Sequence, residues 1–459
     1  MSNLIFPPNF LNSIAGSPGL DAENFSKAHQ TAESPTSIRL NPFKPSTIKG
    51  HEKVAWCTEG YYLNSRPSFT FDPLFHAGCY YVQEASSMFI SHILYYINKE
   101  DDSIKVLDLC AAPGGKSTLI SSALKENDLL VANEIIKTRV PVLTDNLTRW
   151  GTANTIVSNN DPKDFGKVKG FFDIILVDAP CSGSGMFRKD PNAMNEWSEA
   201  NVNLCHQRQE RILADVYPAL KEDGYLIYST CSYSMEENED ILDWLCNEFD
   251  LESIRIPVKD DWGIVESQSS QNKAWGYRFY PDKVKGEGLF AACLKKKDSD
   301  GEVAPAKNKE QQKPNFKEID QVKPYINNAD DFFFFKVNDD WLAIDRQHKE
   351  SMAILQRYLY IKKSGIRIGK LMGKDMVPDH ELALSLIINK DEFMQTQLTK
   401  DQAIQYLRRD NITGLDINDK GWSLMCYENQ PLGWAKLLPN RINNYYPKEI
   451  RILSQQQLY

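Results

Sequence analysis

Between residues 103 and 295 the chain alternates short apolar runs, at 104–109, 129–133, 155–157, 172–177, 224–229 and 289–294, with longer stretches compatible with helix. Strand-length apolar runs separated by helix-length segments are the pattern of a parallel sheet wrapped by helices, so an α/β, doubly wound domain is expected here. Two of the helices can be placed. After Lys116 the apolar positions Leu119, Ile120, Ala123 and Leu124 recur at helical spacing, and after Met235 so do Ile241, Leu242, Leu245 and Phe249. Ser234 followed by Glu237 predicts a capping box at the start of the second helix. Cys231 therefore falls in a strand-to-helix turn.

Beyond Lys295 the pattern breaks. Lys295-Lys296-Lys297 leads into a polar stretch, 298–317, with Gly301, Pro305 and Pro314 and almost no large apolar residue, which is the composition of a linker. Past it, a mixed region opens at 332–335, and its apolar runs at 341–344, 366–371, 422–427 and 431–438 are short and punctuated by turns, which predicts small α+β modules. The expected organisation is an N-terminal appendage over 1–78, the main α/β domain over 79–296, a linker over 297–320, an intermediate α+β module over 321–395 and a C-terminal module over 396–459. No internal repeat is visible. In the N-terminal segment Arg39, Lys44, Lys49 and Lys53 are interleaved with aromatics up to Tyr62. Two readings stand side by side there, a face for nucleic acid and a solvated helical cap on the main domain.

Composition adds limits. A chain of 459 residues with 42% hydrophobic residues has material for more than one core. The formal net charge of -9 does not suggest a nucleic-acid binder, but it averages over domains, and a basic groove on an acidic protein stays compatible with it. Nine cysteines, an odd number without repeated spacing, do not form a disulfide framework, and no clustered Cys/His spacing points to a metal. A reducing cytoplasm is the expected location. The N-terminus lacks a basic region followed by an apolar core, and no apolar run approaches membrane-spanning length. A monomer without an obligate protein partner is the default expectation.

Chemistry gathers in short polar loops at the ends of the apolar runs. Asp108-Leu109-Cys110-Ala111-Ala112-Pro113-Gly114-Gly115-Lys116-Ser117 follows one run and opens a helix, so small residues let a ligand approach the backbone beside free helix N-terminal amides. Two ligand classes compete for it. Gly115-Lys116-Ser117 matches the end of a nucleoside-triphosphate loop, but Cys110 stands where that loop needs glycine, and Pro113 removes an amide that would cradle phosphate. The other class is S-adenosylmethionine, with Glu134, after the next run, taking the ribose hydroxyls and Asp161, after the third, accepting the adenine amino group. Cys181, in Asp178-Ala179-Pro180-Cys181-Ser182-Gly183, and Cys231, in Ser229-Thr230-Cys231-Ser232, each sit in a polar turn at what would be the same sheet edge. Paired thiols there suit covalent chemistry on a bound ligand.

These motifs together resemble the Nol/Nop/Sun family of RNA cytosine-5 methyltransferases, and within it the longer bacterial small-subunit rRNA enzymes of the RsmF type. The residues that carry the resemblance are 108–116, Asn133-Glu134 with Arg139, 178–185, and Tyr228-Ser229-Thr230-Cys231-Ser232, with 81–88 and 285–290 agreeing at the flanks. It is dense over about residues 80–294. Gly433-Trp434-Ala435-Lys436 and 443–447 look like a C-terminal PUA-like module. The chain departs from the family at Phe279-Tyr280-Pro281-Asp282, where a histidine often follows the proline.

The resemblance implies a Rossmann-like class I methyltransferase sheet with an N-terminal RNA-binding appendage and C-terminal PUA-like RNA-binding modules. It further implies methylation of carbon 5 of a cytosine in RNA, with 16S rRNA as the substrate; the same reaction on tRNA and a binding-only assembly factor are the alternatives. The cofactor would be S-adenosylmethionine, held by Cys110, Ala111, Ala112, Pro113, Gly114, Gly115, Lys116, Glu134, Arg139, Asp161 and Asp178. Carbon 5 of cytosine is a poor nucleophile until a thiolate adds to carbon 6, and the adduct must then be released, so two groups are needed. By resemblance Cys231 attacks, Cys181 assists release, and Asp178 hydrogen-bonds the ring. The physics of the sequence alone leaves the two cysteines unranked. Lys116 and Lys189 are candidates for contacting the base or its phosphate.

Overall fold

The computed structural model describes residues 6–31, 33–48, 52–97, 103–305, 316–373, 375–415 and 420–454. Its centre is a ten-stranded sheet. Five strands are parallel, in the spatial order Thr155–Ser158, Leu129–Asn133, Lys105–Asp108, Phe172–Asp178, Leu220–Thr230. Antiparallel strands Leu289–Lys296, Trp275–Phe279 and Val265–Gln268 extend it beyond Leu220–Thr230. The strand order reverses between Lys105–Asp108 and Phe172–Asp178, and such a switch point leaves a crevice at the carboxyl ends of the strands.

The apolar runs form strands because both faces are covered. Along them Val106, Leu130, Ala132, Val157, Ile174, Leu176 and Ile227 enter one core, while their neighbours Leu107, Leu129, Val131, Ile156, Ile175, Val177, Leu226 and Tyr228 enter the other. This is the period of two of a pleated strand buried on each side. Helices Phe89–Ile97, Gly115–Ala123 and Val140–Trp150 contribute to the first core, and Glu199–Val216 and Glu239–Glu248 to the second.

The second helix placed from sequence starts later than expected. It runs Glu239–Glu248 with Asn238 as its N-cap and no side-chain cap bond, and the hydroxyl of Ser234 is buried without a partner. The capping box is not formed, because Glu237 is drawn to another set of donors, described below.

Residues outside the main domain pack closely on it. Strand Ile361–Ser364 joins the central sheet antiparallel to Thr155–Ser158, and Met352 and Leu355 of helix Lys349–Tyr358 enter the second core. The polar stretch after Lys295 does not leave the domain at once, since Val303 N–H donates to Lys169 O at 2.8 Å; its residues 306–315 lie outside those described. The N-terminal segment carries two helices, Phe10–Ser13 and Ala22–Thr31, followed by a sheet. Strands Thr36–Leu40, Glu52–Lys53, Gly60–Leu63 and Tyr80–Val82 form a sheet of their own. Arg39 and Lys44, read from sequence as candidates for facing nucleic acid, are buried. Arg39 donates to Gln83 Oε1 at 2.8 Å and to Thr118 Oγ1 at 2.6 Å. Lys44 Nζ donates to the carbonyls of Ala77, Arg149 and Leu384 at 2.9, 2.7 and 2.7 Å. Lys53 is exposed, and Lys49 lies outside the described residues.

C-terminally, strands Met394–Gln397, Gly421–Tyr427, Gln430–Leu438 and Arg441–Asn444 make a small sheet that shares a core with the N-terminal module. Among the described residues no helix is long and apolar enough to cross a membrane, and no group of His, Cys, Asp and Glu side chains could hold a metal ion.

Candidate active site

The loops that leave the parallel strands bring the sequence-derived residues to one edge. At the switch point Lys116 Nζ, from the loop after Lys105–Asp108, lies 2.8 Å from Asp178 Oδ2 at the end of the neighbouring strand. Ser229 Oγ, one strand further, donates to Asp178 Oδ1 at 2.8 Å. Burial alone would pull the Lys116 ammonium down, but the charge and hydrogen bond of Asp178 outweigh it and hold the group above its ordinary value.

The loop itself is shaped by its small residues. Gly114 has φ 112°, a left-handed backbone that strains any side chain. Asp108 is buried beneath it, with Oδ2 accepting from Ser117 Oγ at 2.6 Å and Oδ1 without a partner, and burial pushes its carboxyl up to about 7. Arg139 closes the far side, its guanidinium donating to Ala112 O at 2.6 Å and pairing with Glu134 Oε2 at 3.3 Å. Glu134 is itself buried and takes Ile136 N–H at 2.8 Å on its other oxygen. Asp161, on the next loop, caps helix Pro162–Phe165 through Lys163 N–H at 3.1 Å. Asp108, Glu134 and Asp178 therefore lie around the loop, and its two cations, Lys116 and Arg139, are already paired with Asp178 and Glu134. Such a charge balance offers a triphosphate neither cation and leaves carboxylate oxygens for a ligand that carries hydroxyls.

The two cysteines meet. Cys181 Sγ and Cys231 Sγ are 3.0 Å apart, both thiols are free, and both are half-buried. The hydrogen bond that the Cys181 thiol gives to Cys231, then burial, then nearby negative charge push the Cys181 thiol well up. Their loops are stitched together by Gly185 N–H donating to Cys231 O at 2.8 Å and Tyr233 N–H to Ser184 Oγ at 2.9 Å. Cys205 and Cys293 are buried, as an inert structural cysteine would be, while Cys110 and Cys246 are only half-buried. Lys189 is exposed on the stretch after the Cys181 loop. Asp282, where the family often has histidine, pairs with Lys283 at 3.7 Å.

Sequence reasoning missed the residues that hold these loops. Glu237 accepts from Ser182 N–H at 2.8 Å, from the Ser182 hydroxyl, from Ser232 Oγ at 2.5 Å and from Gln209 Nε2 at 3.2 Å. Arg278 donates to Tyr233 O at 2.8 Å. Nothing periodic marks Glu237, because in Glu236-Glu237-Asn238-Glu239 it reads as one of several acids opening a helix.

Fold and site define a class I-type methyltransferase with a paired-cysteine centre. Residues 94–295 match the family 16S rRNA methyltransferase RsmB/F, residues 6–85 the N-terminal domain of 16S rRNA methyltransferase RsmF, and residues 394–452 the methyltransferase RsmF PUA domain. The chain is 31% identical over 447 residues, 90% of each chain, to ribosomal RNA small subunit methyltransferase F of Psychromonas ingrahamii. It is 29% identical over 474 residues, 97% of each chain, to the protein of the same name from Shewanella piezotolerans. A solved methyltransferase homolog protein from Pyrococcus horikoshii superposes with a TM-score of 0.54 at 28% identity, covering 64% of this chain and 96% of that one. The chain belongs to the RsmB/F family of 16S rRNA methyltransferases.

Proposed function

We propose that the protein methylates carbon 5 of a cytosine in small-subunit rRNA, with S-adenosylmethionine as the methyl donor and a transient bond between Cys231 and the base. The observation that carries this reading is the pair of free thiols 3.0 Å apart beside the Lys116–Asp178 pair. The carboxylate-rich loop supports the cofactor assignment. Glu134, positioned by Arg139, would take the ribose hydroxyls, Asp161 would face the adenine, and 110–116 would pass under the methionine portion. When bound, S-adenosylmethionine supplies the methyl group as an electrophile.

In this reading Cys231 gives its sulfur to carbon 6 of the cytosine and its proton, relayed through Asp178, to ring nitrogen 3. The ring becomes an enamine, nucleophilic at carbon 5. Asp178, fixed by Lys116 and Ser229, stabilises the charge on the ring by accepting from nitrogen 3. After methylation the carbon 5 proton passes to solvent and its electron pair restores the enamine. Loss of the nitrogen 3 proton then drives that pair into the bond between carbons 5 and 6. The carbon–sulfur bond breaks, and its electrons return to the Cys231 sulfur. Cys181, held as a thiol, donates a hydrogen bond to the departing sulfur and assists release. The target base must be unstacked to reach such a site, which favours an RNA loop over a rigid duplex. The C-terminal module would position that RNA.

The test is bisulfite sequencing of rRNA and tRNA from cells with and without the protein. Loss of one 16S cytosine mark on deletion is expected; an unchanged rRNA pattern sinks the reading, and loss of a tRNA mark alone moves the substrate. Cys181→Ala should accumulate a covalent RNA adduct on denaturing gels while Cys231→Ala forms none, and the reverse outcome exchanges their roles.

A further inference from the structure

We infer that Glu237 is a positioning residue for the reaction, a single buried carboxylate that locks the Cys181 loop to the Cys231 loop and so fixes the pairing of the two sulfurs. Its donors are the residues that immediately follow the two cysteines. Ser182 gives it both its N–H and its hydroxyl, and Ser232 gives its hydroxyl. The two serine hydroxyls lie 3.3 Å from each other. Gln209, from helix Glu199–Val216, donates to Glu237 Oε1 and also to Pro180 O at 3.0 Å, just ahead of Cys181.

The backbone of the same residue is anchored as well. Tyr228 OH, on the strand that ends before Cys231, donates to Glu237 O at 2.7 Å, and Asn238 Nδ2 donates to Ser232 O at 2.8 Å. Oε1 takes two N–H donors, from Ser182 and Gln209, while Oε2 faces two serine hydroxyls, which can donate or accept. A glutamine can keep that shape by donating to the two hydroxyls, whereas an alanine removes the joint altogether. The loops belong to separate strands, and no other side chain among the described residues accepts from both Ser182 and Ser232.

Position has an electrostatic consequence. The groups facing Cys181 are the Cys231 thiol, the Glu237 carboxylate and the buried Tyr228 phenol, with Lys116 and Asp178 on the Cys231 side. The Cys231 hydrogen bond and burial do most to keep Cys181 protonated, and the Glu237 charge adds to them. Removing that charge should let Cys181 ionise at lower pH; loosened packing would act in the same direction by relieving burial, so the comparison needs a variant that keeps the shape around the thiol.

The inference rests on Cys181 and Cys231 being the reacting thiols. Its test compares full-length Glu237→Ala, Glu237→Gln, Ser182→Ala, Ser232→Ala and the double serine variant with the parent, using unmethylated rRNA from deletion cells. The readouts are kcat, the KM for cofactor, and the pH profile of Cys181 alkylation by iodoacetamide, read by peptide mass spectrometry. Glu237→Ala should lower kcat about 100-fold with the cofactor KM within about twofold, as expected for misplaced reacting groups. Glu237→Gln, which removes the charge and keeps the shape, should let Cys181 be alkylated at lower pH than in the parent. Each serine variant should lose about tenfold, and the double variant less than the product of the two losses, because both act through one carboxylate. A Glu237→Ala kcat within threefold of the parent, an unmoved Glu237→Gln midpoint, or serine losses that simply multiply would overturn it. If Glu237→Ala does not fold, the serine variants, which keep the carboxylate and its remaining donors, decide by kcat alone. Failure of the underlying reading looks different, since Cys231→Ala would then still methylate RNA.

Discussion

At the scale of single residues, charge pairing decides what this sheet edge can hold. Lys116 is committed to Asp178, and Asp178 is held on its other oxygen by Ser229, so the carboxylate has a fixed orientation and a matched countercharge. Asp178→Asn keeps the shape but removes the charge that would steady the cytosine ring. Methyl transfer from labelled cofactor to rRNA should fall on the order of 10² to 10⁴, the range of a positioned acid–base group, and a loss below tenfold would remove Asp178 from the mechanism. Asp108 makes a separate prediction. Burial pushes its carboxyl up to about 7 from 3.8. The unfolded chain releases this proton near pH 4 and the native chain near pH 7, so the group lowers stability progressively as pH rises between those values, and by a constant amount above. Asp108→Asn, which can still accept from Ser117, should therefore gain stability relative to the parent as pH rises from 5 to 8. Urea unfolding at the two pH values checks this, and parallel curves would show that Asp108 titrates normally.

At the scale of elements, the parallel strands were legible because each is a continuous apolar run, and the cofactor loop and both cysteines were legible because they punctuate the ends of those runs. The start of helix Glu239–Glu248 was not, since Ser234 and Glu237 satisfy the spacing of a capping box while long-range donors on the Cys181 loop claim the carboxylate. Local spacing cannot register a partner 55 residues away. The same limit hid Arg278. On strand Trp275–Phe279 it pairs with Glu239 in the first turn of that helix, Nε donating to Glu239 Oε1 at 2.7 Å, while its other arm holds Tyr233 O behind Cys231. Both partners are buried. Arg278→Met alone leaves Glu239 charged and buried, which should cost about 3–5 kcal/mol, whereas Glu239→Leu with Arg278→Met should recover much of that stability. A double-mutant cycle in urea checks it; additive losses would mean that the pair contributes no coupling between strand and helix.

At the scale of the whole molecule, the N-terminal module is built into the catalytic edge as well as beside it. Basic residues interleaved with aromatics suggested an outward face, but Arg39 and Lys44 turn inward, and Lys44 ties carbonyls at 77, 149 and 384 into one junction. Helices Phe10–Ser13 and Ala22–Thr31 bring their aromatics against the catalytic loops. Phe10 lies with its ring centroid 5.0 Å from that of Phe187, and Phe25 lies edge-on to Tyr233 at 4.9 Å. Ser17 Oγ donates to Tyr233 O at 3.2 Å, and Tyr280 OH to Pro18 O at 3.0 Å. Tyr233 is two residues beyond Cys231, so these contacts brace the turn that presents the thiol. Deleting residues 1–33 would strip the cover from Phe187, Trp197, Tyr233 and Tyr280 while leaving the central sheet paired as before. The truncated chain should keep its far-ultraviolet circular dichroism and bind more of an apolar dye. Its methyl transfer should fall about 100-fold, the loss expected when reacting groups shift by about an ångström. A truncated protein with an unchanged fold and full activity would show that the brace carries no catalytic weight, and that the Cys231 turn is set wholly by Glu237 and Arg278.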